Sequence, residues 1–245
     1  ERGMRAVALL TGEYRSERRA SAMAYVNGAL RAAERLGFAH VLINVGSIDD
    51  HEFPVLLGGI ARRPDGTIAP KFTMCTFQET YKRGVYAKFM GRDAQNPRSD
   101  YDRRLANFDR ARRAGLRVAN PGVLLGLSTD LAFELAAAIL HVRHLLANGM
   151  EVYLSTPRLR RVVGGGAGHG VSDDEFVRVL ALFALALPEA KLVVTTREPR
   201  AMQQRVGAIV SVLSAGSSAV APYTADGARF PLEASQFEVI DQRPF

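Results

Sequence analysis

Short polar clusters follow the apolar runs of this chain, and two of them carry side chains suited to binding an amino acid. Arg197 follows one apolar run and Ser214 follows the next. A guanidinium binds a carboxylate through two parallel hydrogen bonds, and a hydroxyl adds a third. The two residues therefore predict a clamp for the carboxyl group of an amino acid. The alternative is an ion pair between Arg197 and a neighbouring carboxylate such as Glu198.

Two further clusters place a glutamate just after an apolar run. Gly12 and Glu13 follow the first run, where a glycine lets a ligand approach the backbone and a carboxylate accepts hydrogen bonds from an ammonium group. A plain turn with an exposed glutamate is the alternative. Glu79 leaves a buried run beside Gln78, and burying both costs free energy unless they meet polar partners. Glu79 as a helix-start carboxylate is the alternative there.

Arg104, on the amphipathic stretch that follows, is a candidate partner for an anion, although helix surfaces often carry such residues. Metal binding is not expected of His141 and His144, which lie three positions apart on an apolar helix pattern without a third ligand nearby. His169 lies in a glycine-rich run that we expect to be a mobile connection. Cys75, the single cysteine, is predicted to be inert packing inside a strand, and it excludes both an intrachain disulfide and a self-contained cysteine-ligated cluster.

Seven strand patterns, each followed by a polar cluster and most by a helix pattern, position these residues. They lie at residues 5–10, 41–44, 72–77, 116–119, 151–154, 192–194 and 209–213. This rhythm is typical of strand–helix units around a parallel sheet, and in closed barrels of such units the site lies beyond the C-terminal strand ends. The predicted fold class is therefore an α/β barrel. Residues 1–245 are expected to form one domain, with seven of eight units and a C-terminal tail.

Composition narrows the function classes. The net charge of +7 comes from arginines scattered over helix patterns, which favours a solvated surface over a nucleic-acid groove. No uninterrupted apolar run approaches the roughly 18 residues of a membrane span, and no signal-peptide pattern opens the chain. We therefore expect a soluble, cytoplasmic protein that binds neither membrane nor nucleic acid.

The clusters in their order resemble the signatures of the radical S-adenosylmethionine aromatic amino acid lyases. The similar segments are TGE at 11–13, FQETY at 77–81, TTREP at 195–199, SAGSS at 214–218 and SQFEVIDQRPF at 235–245. The resemblance implies a radical S-adenosylmethionine (β/α) barrel of the TIM type. The stretches KFTMCTFQETY at 71–81 and RVANPGVLLGL at 117–127 look closest to the tryptophan lyase branch, which makes 3-methyl-2-indolic acid.

This resemblance also implies roles for the candidate residues. Arg197 and Ser214 would hold the carboxylate of tryptophan, and Gly12 with Glu13 would bind the amino group of S-adenosylmethionine. Glu79 and Arg104 would be further cofactor contacts. The implied reaction fragments L-tryptophan and rearranges it to 3-methyl-2-indolic acid for thiopeptide-type antibiotic biosynthesis, with an external electron donor such as flavodoxin or ferredoxin.

Two alternatives stay open. One is a tyrosine lyase of thiamine or hydrogenase-cofactor synthesis, and the other is an amino-acid-binding barrel without a cluster or catalysis. The CxxxCxxC loop that holds the 4Fe-4S cluster in this family does not occur in the sequence. In the family barrel that loop follows the first strand. We therefore expect this chain to begin at what would be the second strand, with the cluster ligands upstream and no metal ligand of its own.

Overall fold

The computed structural model describes residues 5–159, 169–195 and 198–213. Seven strands in this part form one sheet in chain order. They are β1 (Ala6–Leu10), β2 (His40–Asn44), β3 (Phe72–Glu79), β4 (Val118–Val123), β5 (Glu151–Ser155), β6 (Lys191–Val194) and β7 (Val212–Leu213). The helices are α1 (Arg19–Arg35), α2 (Phe53–Leu56), α3 (Arg83–Met90), α4 (Tyr101–Leu105), α5 (Asn107–Arg113), α6 (Leu131–Ala147), α7 (Asp173–Ala186) and α8 (Arg200–Val206).

Every strand pairs in parallel with the next one along the chain. The sheet curls into a half-barrel with helices against one face, which confirms the predicted fold class. Alternate residues such as Ile43, Met74 and Val152 are buried in the core with residues of the helices. The other face is concave and partly open, and Ala8 and Leu10 of β1 are exposed.

Local sequence signals explain several helix ends. Ser172 accepts a hydrogen bond from the backbone N–H of Glu175 and donates its own backbone N–H to the Glu175 carboxylate, which is a capping box. Asp130 accepts from the N–H of Phe133 at the start of α6. Within the described ranges, no helix combines the length and the apolar character that crossing a membrane requires.

One predicted strand was wrong in detail. The fourth strand was predicted at residues 116–119 with a polar cluster after it, but Asn120, Pro121 and Gly122 lie inside β4. Pairing with β3 on one side and β5 on the other outweighs their local preference for turns. The amphipathic stretch that carries Arg104 forms two helices, α4 and α5, with a break at Ala106.

Candidate functional site

The charged cluster, which we define as Glu13, Glu79 and Arg104, gathers beyond the C-terminal ends of the first strands. Glu13 lies three residues past β1, Glu79 is the last residue of β3, and Arg104 comes from α4. The Arg104 Nη1 donates to Oε2 of Glu13 at 3.0 Å, and its Nη2 lies 3.8 Å from Oε1 of Glu79. Its Nε donates to the carbonyl of Phe77 at 2.5 Å. The structure thus brings together three of the predicted cofactor-binding residues.

Glu13 is held by two donors inside the fold. Besides Arg104, the backbone N–H of Ser47 donates to its Oε1 at 2.9 Å, and its side chain is only 4% exposed. A Cβ at Gly46 would lie 2.7 Å from the carboxylate carbon, so the carboxylate packs where only a glycine leaves room. An ionised carboxylate has about four acceptor positions. Glu13 therefore retains acceptor capacity for a ligand while its position is fixed.

Glu79 combines backbone strain with an open carboxylate. Its φ of 68° lies in the left-handed region, and the β3–β4 register shifts between Phe77 and Glu79. Strained residues beside bulges are frequent at ligand sites. Among the described residues its nearest cations are Arg98 at 3.6 Å and Arg104 at 3.8 Å, both beyond hydrogen-bond distance. Its carboxylate is therefore the freer of the two to accept a hydrogen bond from a bound ligand.

Gly12 leaves its side open, because a Cβ at this position would meet nothing within 4 Å. Its carbonyl accepts a hydrogen bond from the hydroxyl of Thr11 at 2.9 Å. The backbone is accessible there, as the sequence prediction requires. The predicted contact between Gly12 and a cofactor remains a prediction.

A buried ion pair, which the sequence reasoning missed, supports the loop after β2. Arg19 donates to both carboxylate oxygens of Glu52, at 2.5 and 2.7 Å, and to the carbonyl of Ser47 at 2.6 Å. Burial alone would raise the pKa of Glu52, but hydrogen bonds from Arg19 and from the backbone of Asp49 outweigh it, so this pKa is lowered. Because Ser47 holds Glu13, this pair fixes one side of the charged cluster.

Asp49, His51 and Glu52 place ligand atoms within 4.8 Å of one another, as a metal ion would require. The Asp49 carboxylate is already bound by Arg103 at 2.8 and 3.0 Å, and Glu52 is bound by Arg19. A metal ion would have to displace both guanidinium groups.

Arg197 and Ser214, the predicted substrate clamp, lie outside the described residues. Glu198, which follows Arg197 in the sequence, forms a buried ion pair that could not be predicted from the sequence. Arg158, just past β5, donates from Nε to Oε1 of Glu198 at 2.9 Å and from Nη2 to Oε2. Its guanidinium also stacks 4.5 Å from the ring centre of Phe176. Arg158 is thus one partner of Glu198, the residue that the sequence analysis considered as an alternative partner of Arg197.

The remaining candidates have partners of their own. His141 Nδ1 lies 2.9 Å from the hydroxyl of Tyr81, and His144 Nε2 lies 2.9 Å from Asp109. The thiol of Cys75 donates to Oδ1 of Asn120 at 3.1 Å, and burial raises the pKa of this thiol to about 12. Cys75 is therefore a protonated, buried thiol, as predicted. His169 is the first described residue of the glycine-rich run, and its backbone N–H donates a hydrogen bond to the carbonyl of Gly126.

Residues 155–245 match the model of the Biotin and Thiamin Synthesis associated domain. Over 127 residues, 50% of this chain and 32% of the relative, the chain is 32% identical to the 2-iminoacetate synthase of Salmonella typhimurium. The Escherichia coli 2-iminoacetate synthase is 30% identical over 133 residues, which are 53% of this chain and 34% of the relative. The chain is similar to 2-iminoacetate synthases.

Solved structures agree on the fold. The crystal structure of HydG, a maturase of the FeFe-hydrogenase, superposes with a TM-score of 0.78 at 26% identity, covering 98% of this chain and 50% of that one. The HydG maturase of Carboxydothermus hydrogenoformans gives a TM-score of 0.78 at 24% identity, covering 98% and 52%. The chain therefore spans about a third of the curated relatives and about half of these structures.

Proposed function

We propose that the full-length protein is a radical S-adenosylmethionine lyase that acts on an aromatic amino acid, with tyrosine as the first candidate. The similarity to two 2-iminoacetate synthases carries this proposal. 2-Iminoacetate retains the carboxylate, the nitrogen and two carbons of an amino acid backbone. An enzyme that forms it from an amino acid must therefore remove a side chain.

The charged cluster supports a cofactor site for S-adenosylmethionine. The amino group of S-adenosylmethionine is a cation. It would donate hydrogen bonds to the open carboxylate of Glu79 and to the remaining acceptor positions of Glu13. Arg104 would keep both carboxylates in place, and Gly12 offers accessible backbone beside them. When bound, S-adenosylmethionine supplies the radical chemistry. The contribution of these residues is binding and orientation.

The 4Fe-4S cluster does not fit the residues present here. Such a cluster needs several thiolates, whereas the sequence has one cysteine, whose thiol is buried and protonated. The cluster ligands are therefore proposed to lie in another part of the full-length protein. Arg197 and Ser214 remain the proposed clamp for the substrate carboxylate, and an external electron donor remains part of the proposal.

A tryptophan lyase that forms 3-methyl-2-indolic acid is the second candidate. It is favoured by the sequence stretches at 71–81 and 117–127, whereas the curated relatives favour the tyrosine lyase. The two differ in the amino acid that is consumed, so a direct assay separates them.

The experiment is an anaerobic assay of the full-length protein with S-adenosylmethionine, a reductant, and either tyrosine or tryptophan. Formation of 2-iminoacetate, detected as glyoxylate after hydrolysis, is expected from tyrosine. Formation of 3-methyl-2-indolic acid from tryptophan would instead support the second candidate. If neither amino acid is consumed while cofactor and cluster are bound, the proposed function is wrong.

The cofactor site is tested separately by calorimetry with S-adenosylmethionine. Glu79→Gln keeps the shape of the side chain but removes its charge, so we expect roughly 10-fold weaker binding. Glu34→Gln is the control, because Glu34 of α1 lies 3.8 Å from Lys71, which precedes β3, whereas Glu79 is at the other end of that strand. Equal affinities of the two variants would contradict the assigned site.

A further inference from the structure

Phe77 lies on the concave face of the half-barrel, opposite the helices. On the helix side of β3, Met74 belongs to the hydrophobic core and Thr76 accepts a hydrogen bond from Asn107 of α5 at 2.7 Å. Cys75, between them, bonds to Asn120 of the neighbouring strand. Because side chains alternate along a strand, Phe77 points to the same face as Cys75.

Gly122 of β4 forms a seat for the Phe77 ring. The two residues are register partners, and a Cβ at Gly122 would lie 2.7 Å from Cε1 of the ring, too close for any other residue type without movement. The ring therefore packs directly against the backbone of β4. Phe77 is nevertheless only half-buried, whereas Cys75 two residues earlier is 3% exposed. Part of the ring thus remains available to a ligand in the concavity.

The backbone of Phe77 also contacts the charged cluster. The carbonyl of Phe77 accepts the hydrogen bond from Nε of Arg104, and Glu79 follows two residues later. Farther along the concave face, Asn120 uses its amide to donate to Ser155 at 2.9 Å and to accept from Cys75. These polar side chains are buried and already bonded. An apolar group entering near the cluster therefore finds the Phe77 ring as a partly exposed apolar surface.

We propose that Phe77 receives the aromatic ring of the amino acid substrate by ring contact and so determines specificity for aromatic substrates. This inference rests on the proposed function and names a residue of the ring pocket. The substrate ring would then contact a residue two positions before Glu79, so substrate and cofactor would be held at the same end of β3. A ring seated on Gly122 is fixed before the substrate arrives, which lowers the entropic cost of binding.

The test is equilibrium binding to the full-length protein, with S-adenosylmethionine present, of tyrosine, tryptophan and the non-aromatic leucine. Phe77→Leu keeps apolar bulk but removes the ring. It should weaken binding of the preferred aromatic amino acid by about 3- to 10-fold and leave affinity for leucine and for S-adenosylmethionine unchanged. Phe77→Tyr should retain aromatic binding. Phe133→Leu, which alters an exposed ring on the outer helix α6, is the matched control.

Unchanged affinity of Phe77→Leu for the aromatic amino acid overturns the inference alone, and so does an equal loss for leucine. If the wild-type protein binds no aromatic amino acid, the proposed function fails together with it. Should Phe77→Leu not fold, Gly122→Ala provides the second variant, because its methyl group would push the ring out of its seat. The same selective loss is expected there, and unaltered aromatic binding would again overturn the inference.

Discussion

Arg104 donates a hydrogen bond of 3.0 Å to the carboxylate of Glu13, which lies 91 positions earlier in the chain. Both side chains are more than nine-tenths buried. Removing one partner of such a pair leaves the other charge unpaired and away from water, which costs more than the pair itself contributes. The stability of this part of the fold and the proposed cofactor site therefore depend on the same guanidinium.

Replacement of this arginine should be costly for stability. We expect Arg104→Met to lower the free energy of unfolding by roughly 3 to 5 kcal/mol, because Glu13 would remain buried without its counter-charge. Arg83→Met is the control, since the Arg83–Asp102 pair is 63% and 70% exposed and solvent screens its attraction, so its loss should change the free energy of unfolding far less. Urea unfolding of the two variants measures the difference. Similar losses of unfolding free energy in both variants would show that the Glu13–Arg104 pair stabilises the fold no more than a surface ion pair does.

The buried pair of Arg158 and Glu198 should also resist a conservative change. Lysine cannot make two parallel hydrogen bonds to Glu198 or stack on Phe176 as the guanidinium does. We expect Arg158→Lys to lower the free energy of unfolding by roughly 2 kcal/mol. Arg205→Lys provides the comparison, because Arg205 pairs with Asp174 at the surface. Unfolding curves that shift equally for both lysine variants would contradict a structural role for the Arg158 fork.

The order of elements could be predicted from the sequence because apolar runs, helix patterns and caps are local signals. The helix α6 (Leu131–Ala147) and the capping box at Ser172 are such cases. The inner part of β4 could not, since Pro121 and Gly122 favour turns locally and become part of a strand only through pairing with two neighbours. Local preference loses there to contacts that are distant in sequence.

The site shows the same limit. Glu13, Glu79 and Arg104 were candidates because polar residues at strand ends are expected to converge. Nothing in the sequence indicated that Arg19 pairs with Glu52 or that Arg158 pairs with Glu198, because these partners lie 33 and 40 positions apart. Nor did it indicate the left-handed backbone of Glu79, which depends on the bulge between β3 and β4.

His141 should make stability dependent on pH. Burial, with a smaller effect of neighbouring His144, lowers its pKa to about 4, whereas an unfolded histidine titrates near 6.5. Between these values the unfolded chain binds the additional proton, so the free energy of unfolding falls as the pH is lowered. This group should account for a loss of about 2 kcal/mol between pH 7 and pH 5.

His141→Gln isolates this effect, because glutamine keeps a hydrogen-bonding partner for Tyr81 but does not titrate. Urea unfolding at pH 7 and pH 5 should show a smaller loss for the variant than for the wild type. His144→Gln is the control, since His144 is half-exposed and pairs with Asp109 at the surface. The prediction is wrong if His141→Gln retains the full pH dependence.

Gly126 must be a glycine because the backbone of His169 lies directly against it. Its φ is 99°, and a Cβ there would overlap the carbonyl oxygen of His169 and lie 3.3 Å from Cβ of Leu159. The backbone of His169 is itself bound to the carbonyl of Gly126 at 2.8 Å. Gly149, beyond α6, has a similar φ of 75° but open space around its Cβ position. An alanine at Gly149 would therefore suffer backbone strain alone, whereas an alanine at Gly126 would suffer both backbone strain and steric overlap.

Gly149→Ala should lower the free energy of unfolding by about 1 kcal/mol, the cost of a left-handed backbone for alanine. Gly126→Ala should cost at least about 3 kcal/mol, because the His169 backbone must also move away and lose its hydrogen bond. Urea unfolding compares the two, and hydrogen exchange of the His169 amide reports the local bond. Faster exchange is expected in Gly126→Ala alone. The prediction is contradicted if both variants lose the same free energy of unfolding and the His169 amide stays protected in both. The contact between Gly126 and His169 would then tolerate a side chain.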